Sequence, residues 1–182
     1  MIKCLIDSVR VSLTNQQRLV VLKDVDKDMF LPIWIGMYEA EAITIALQAI
    51  EIARPQTHDL MTTLISALHG NLIRVEITQL KDDVFYASLV IEQNGKNIVV
   101  DCRPSDAIAL AARTGVDILV DEEVMEQAAI RPGEDDDEEG GDLDGDQVGE
   151  KEDLDIFKDF LDKLTGDGDE NPSPDKHPEG DN

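Results

Sequence analysis

The sequence predicts an α+β fold of mixed, largely antiparallel sheets with helices packed against them. Three observations lead there. Runs rich in β-branched residues come in two groups of three, each run set off by short turn signals. Each group is followed by Ala- and Leu-rich segments whose apolar positions recur at helical spacing. An abrupt acidic shift after Pro132 confines the foldable chain to residues 1–130. The resulting order, βββαα then βββαβα, lacks the strict strand–helix alternation of a doubly wound sheet.

In the first group, Cys4 to Leu13 reads as a strand, Asn15-Gln16-Gln17 as a turn and Arg18 to Val25 as a second strand. Asp26-Lys27-Asp28 then turns the chain into a third strand, Met29 to Ile35. Pro32 has no N–H to donate, so this strand carries it near its start or on a sheet edge. From Glu39 to Ile52 the period becomes helical, with Ile43, Leu47 and Ile50 in one stripe and Ala42, Ala46, Ala49 and Ala53 as a narrow ridge beside it. Pro55 stops that helix. Thr57 is the expected N-cap of the next, which runs to His69 with Gly70 at its C′ position and places Leu60, Leu64, Ile65 and Leu68 at helical spacing.

The second group predicts strands over Asn71 to Leu80, Val84 to Gln93 and Lys96 to Asp101. Lys81-Asp82-Asp83 and Asn94-Gly95 separate them, the latter a strong two-residue hairpin signal. Phe85, Ala87, Leu89 and Ile91 alternate onto one face, so that face meets a core. The apolar run Ile98-Val99-Val100 ends in Asp101, and Pro104 with Ser105 opens a helix apolar nearly all round, ending at Gly115. A short strand, Val116 to Val120, and a short helix, Asp121 to Ala129, complete the domain. The segment Ile33 to Leu47 repeats the strand, acidic turn and Ala-rich helix. An offset of 65 sets Glu41 on Asp106 and Ile43 on Ile108 and suggests a duplicated β(3)α(2) unit.

Charge divides the chain sharply. Residues 1–132 carry 12 Lys and Arg against 19 Asp and Glu, net −7, whereas residues 133–182 carry 4 against 21, net −17, giving the total of −24. Such a tail buries too little apolar surface to offset ordering entropy. An acidic disordered linker over 131–150 and a disordered acidic tail over 166–182 are therefore expected. Between them, over 151–165, Leu154, Phe157, Phe160, Leu161 and Leu164 form an amphipathic helical motif suited to docking on a protein partner. Charge interrupts the opening segment, so neither a signal peptide nor a membrane span is expected and a cytoplasmic location follows. Cys4 and Cys102 lack CxxC spacing and read as reduced, buried thiols.

The residues that carry chemistry gather in turns and first helical turns: Glu39, Glu41, His58, Asp59, Asp101, Arg103 and Asp106. Carboxylates with an imidazole can hold Mg²⁺ or Mn²⁺, activate water and clamp a phosphodiester. In that reading Glu39, Glu41, Asp59 and Asp106 are the metal ligands, and Asp101, Arg103, Asp106 and His58 are the catalytic groups, Arg103 stabilising developing charge. Each has a plainer role as well. The acids complement helix dipoles, Arg103 pairs with Asp101 or Asp106, and His58 merely starts a helix. His58 and Asp59 point about 100° apart in a regular helix, so they share one metal only if the backbone there is irregular.

Leu31-Pro32-Ile33-Trp34-Ile35-Gly36 with Glu39-Ala40-Glu41-Ala42-Ile43, then Arg54-Pro55-Gln56-Thr57-His58-Asp59-Leu60, then Asp101-Cys102-Arg103-Pro104-Ser105-Asp106-Ala107 resemble the bifunctional nuclease domain family. The resemblance covers residues 1–130. It implies an α+β domain and, from some plant members, cleavage of both DNA and RNA. The acidic tail departs from relatives that end in a repair-type motif, so no repair partner is implied. Charge opposes the nuclease reading, because a net-negative domain with a more negative tail repels phosphate and no Lys/Arg run with interleaved aromatics occurs. A non-enzymatic homo-oligomeric regulatory module whose acidic tail recruits a partner ranks second, and a nucleic-acid mimic third.

Overall fold

The computed structural model describes residues 1–12 and 17–131. The turn expected at Asn15-Gln16, the acidic linker, the 151–165 motif and the terminal tail lie outside the described residues. Seven strands and four helices follow one another in the expected order. These are β1 (Ile2–Val11), β2 (Arg18–Asp24), β3 (Phe30–Ile35), α1 (Met37–Leu47), α2 (Thr57–Ala67), β4 (Asn71–Lys81), β5 (Val84–Gln93), β6 (Lys96–Cys102), α3 (Pro104–Thr114), β7 (Asp117–Val120) and α4 (Glu122–Ala128). The strands form one mixed, mostly antiparallel sheet in the order β3-β2-β1-β7-β4-β5-β6, which makes the fold α+β. Two three-stranded meanders are joined through β7, antiparallel to β1 and parallel to β4.

Turn chemistry explains the tight hairpins. Asp82 and Asp83, like Asn94 and Gly95, have positive φ at both central positions, the geometry that matches the twist of the flanking strands. On β5, Ala87 and Leu89 are buried and Phe85 and Ile91 pack beside them, as the alternation predicts. The core lies between this sheet face and α3, whose Ala107, Ile108, Ala109 and Leu110 are fully buried. That helix contacts α1, α2, β4, β5 and β7.

Helix ends differ from the sequence expectation. α1 stops at Leu47, five residues before Ile52, so Ile50 and Ala53 lie beyond its apolar face. Ala49 takes the left-handed conformation at φ 50°, and the Ala49 and Ile50 N–H groups donate back to Ala46 and Ile45. This double bond pattern satisfies the last carbonyls without the usual glycine. α2 ends the same way, with His69 rather than Gly70 left-handed. Gly70 follows it and is small for another reason: a Cβ there would press on Ile91. The N-cap of α2 is Gln56, with Thr57 the first helical residue.

Both meanders hand over to a helix through an extended N-cap, Gly36 for α1 and Arg103 for α3. The offset between the halves is thus that from Gly36 to Arg103, two residues longer than the sequence match suggested. At this offset Glu39 falls on Asp106, both third in their helices, and the buried Ala40 and Ile43 fall on the buried Ala107 and Leu110.

Candidate functional site

The starts of three helices line one cleft of about 490 Å³. α1 contributes Tyr38, Glu39, Glu41 and Ala42; the approach to α2 and its first turn contribute Pro55, Gln56, Thr57 and His58; α3 contributes Arg103 and Asp106. Unpaired N–H groups and helix dipoles make each such start favourable for negative charge.

Arg103 ties the cleft together. Its Nε and Nη2 donate to Asp106 Oδ2 and Oδ1 at 2.8 and 3.0 Å, a two-pronged contact, while Nη1 donates to Glu39 Oε1 at 2.8 Å. The hydrogen bonds to Asp106 and then Glu39 hold its guanidinium well above its ordinary pKa. Three of its five N–H groups are committed in this way, and no described residue takes the other two. The guanidinium remains largely exposed at the mouth of the cleft.

Behind it, His58 is buried, with Nε2 3.3 Å from Asp106 Oδ1. Burial raises the Asp106 pKa, but hydrogen bonds from Arg103 and His58 outweigh it and hold the carboxyl below its ordinary range. An ionised carboxylate only accepts, so Nε2 is the donor of this contact.

Of the remaining candidates, Asp59 and Asp101 lie outside the cleft and Glu41 lines it. His58 and Asp59 sit in regular helix and point apart, as the period requires. The Asp59 carboxylate accepts from the Gln56 N–H at 2.7 Å and from Arg113 Nε at 2.7 Å, and these two contacts lower its pKa. Asp101 is exposed on β6, opposite Ser88, and does not line the cleft. Glu41 lines the cleft from an exposed position. At Cys102 burial, then Asp106 and Asp101, push the thiol up to about 11, and burial with Asp24 pushes Cys4 up to about 12. Neither is poised as a thiolate.

A resident divalent ion does not fit this donor set. Glu39 and Asp106 already share Arg103, and among the described residues no group of three or more His, Cys, Asp and Glu side chains is arranged to hold a metal.

Sequence reading missed Arg113. Its side chain is nearly buried, and it donates to Asp59, to the backbone carbonyls of Ala42 and Ala109 and to the Gln56 side chain, so one cation locks α1, α2 and α3 together. The available signal was a lone cation in the last turn of an otherwise apolar helix.

Comparison with known proteins identifies the domain. The family model of the bifunctional nuclease domain matches residues 20–133. An uncharacterized protein of Mycobacterium tuberculosis is 39% identical over 159 residues, 87% of this chain and 92% of that protein. Bifunctional nuclease 1 of Oryza sativa subsp. japonica and the bifunctional nuclease of Oryza minuta are each 30% identical over 109 residues, 58% of this chain but 33% of theirs. Among the described residues no helix is long and apolar enough to cross a membrane. With its matched region running from within β2 past the end of α4 and holding the whole cleft, the chain belongs to the bifunctional nuclease domain family.

Proposed function

We propose that the cleft hydrolyses phosphodiester bonds of DNA or RNA. The observation that carries this reading is the juxtaposition of Arg103 with the half-buried Asp106 and the buried His58 where three helices begin. A phosphate oxygen takes the two uncommitted N–H groups of Arg103, a planar donor pair that suits phosphate. The helix starts offset part of the repulsion from Glu39, Glu41 and Asp106. Water attacks phosphorus, its proton passes to His58 Nδ1, the bond to the leaving oxygen breaks, and that oxygen is protonated from solvent. Asp106 orients the ring and stabilises the imidazolium as it forms. The free thiols of both cysteines fit a reducing, cytoplasmic setting.

The experiment is cleavage of labelled single-stranded DNA and RNA by the full chain, with His58→Ala and Arg103→Lys as comparisons. Loss in both variants is expected; cleavage equal to that of the unaltered chain in either removes that residue from the reaction. Parallel arms with EDTA, Mg²⁺ and Mn²⁺ test the ion expected from sequence. Dependence on an ion would mean that Glu39 or Asp106 gives up Arg103 when ion and phosphate arrive together.

A second reading, a non-enzymatic oligomeric module, is favoured by the half-exposed stripe Leu60, Leu64 and Leu68 along α2. Absence of cleavage under every ion condition would select it. Its acidic, partner-recruiting tail lies outside the described residues.

A further inference from the structure

The sheet has two edges, and they are built differently. On β3, Phe30 exchanges both backbone hydrogen bonds with Ile130, and Pro32 removes a donor. β6 has neither protection. Its pairing with β5 runs unbroken from Ala87 opposite Cys102 to Gln93 opposite Lys96, so no bulge turns the edge away. Every residue from Lys96 to Asp101 is exposed, including Ile98 (42%), Val99 (63%) and Val100 (41%). A long, flat, β-branched edge offers unpaired backbone groups to another strand. Ile98 and Val100 lie opposite Ile91 and Leu89 on the helix-covered face, and Val99 lies opposite Val90 on the other. The exposed stripe of α2 is close by, because Gln93 Nε2 donates to the Leu68 carbonyl at the end of that helix.

We propose that β6 pairs antiparallel with β6 of a second copy of this chain, about a two-fold axis through Val99. The strand's self-complementarity argues for a second copy over any other occupant. Antiparallel partners must share a face of the sheet. With Val99 on the axis, Val99 meets Val99, Ile98 meets Val100 and the Asn97 amide meets the Asp101 carboxylate. Lys96 then falls opposite Cys102 and away from the Lys96 of the second copy, whereas parallel pairing would set Lys beside Lys and Asp beside Asp. This contact satisfies both edges at once and closes the assembly at two copies. It stands apart from the nuclease reading, because no residue of β6 lines the cleft.

Sedimentation equilibrium of the full chain at tens of micromolar tests it. The unaltered protein is expected at twice the mass of one chain. Val99→Lys, a change outside the core, is expected to lower the mass twofold while the chain keeps a cooperative thermal transition. Full-length Val99→Cys treated with a short bis-maleimide should couple to itself in at least tenfold better yield than Leu5→Cys, an exposed position on β1. A single-chain mass for the unaltered protein overturns the proposal. So does a two-chain mass that survives Val99→Lys with no preferential coupling at position 99. A single-chain mass with the thiol of the Val99→Cys variant shielded from maleimide also overturns it, and hands the strand to the chain's own 151–165 segment.

Discussion

The junction from β3 into α1 and the junction from β6 into α3 share a plan: extended strand, N-cap, acid at the third helical position, buried Ala one residue on. They differ in what the N-cap supplies. Arg103 brings a cation that grips its own acid, Asp106, and reaches across to Glu39. Gly36 brings no side chain, and the Glu39 carboxylate folds over the space where a Cβ would be. Asp106 alone also meets His58. Similar backbones thus make unequal contacts: one junction holds the His58–Asp106 pair, and the other lends a counter-charge to Arg103.

The strongest test of this contrast removes the residue that fixes α2 against both junction helices. Arg113→Met should cost about 2–4 kcal/mol in urea unfolding, because it strips a nearly buried charge network and leaves Asp59 and two carbonyls short of a donor; the figure is held down because Asp59 keeps about a third of its exposure. A loss below about 0.5 kcal/mol would mean that solvent replaces those bonds. Next in size, Asp106→Asn should lower cleavage by on the order of 10²-fold, the range of a general-base contribution, while costing only about 1 kcal/mol of stability. Glu39→Gln should cost about tenfold, roughly 1.4 kcal/mol of barrier, because among the described residues its carboxylate pairs with Arg103 and not with His58. Equal losses at the two acids would erase the division of duties.

Gly36→Ala should have a smaller effect. The added methyl meets the end of a flexible side chain, so stability should hardly change while Glu39 is pushed off Arg103. A crystal structure with Glu39 still on Arg103 would refute this. The smallest effect is acidic. Asp106 and Asp59 both have lowered folded-state pKa values, so their contribution is present above the unfolded carboxylate value of about 3.9 and fades as pH falls through the lower folded values. The urea midpoint should stay level from neutrality down to about pH 4 and drop below it, less steeply in Asp106→Asn.

The succession of strands and helices and the hairpin at Asn94-Gly95 were legible because period-two alternation and turn chemistry act locally, whereas the place of β7 between the two meanders was not. Helix ends were not, since Ala49 and His69 adopt left-handed backbone that nothing in their chemistry announces. At the site, the acids and Arg103 could be named from their position at helix starts. Which acid Arg103 would choose could not be, because Glu39 is 64 residues away and only the packing of α1 on α3 brings it near. For the same reason the offset between the halves was misjudged by two: apolar identity matched at one register, buried position at another.

The place of β7 has a consequence for how the chain is made. Ile2 pairs with Val120 and Cys4 with Ile118, so the free side of β1 is completed by the strand made last among those described. Until then the two meanders have no strand between them, and closing so long a loop is entropically costly and slow. The N-terminal half must therefore wait with an apolar strand edge open, and a chain cut short before Asp117 would keep two such edges, on β1 and β4, for any neighbour to join.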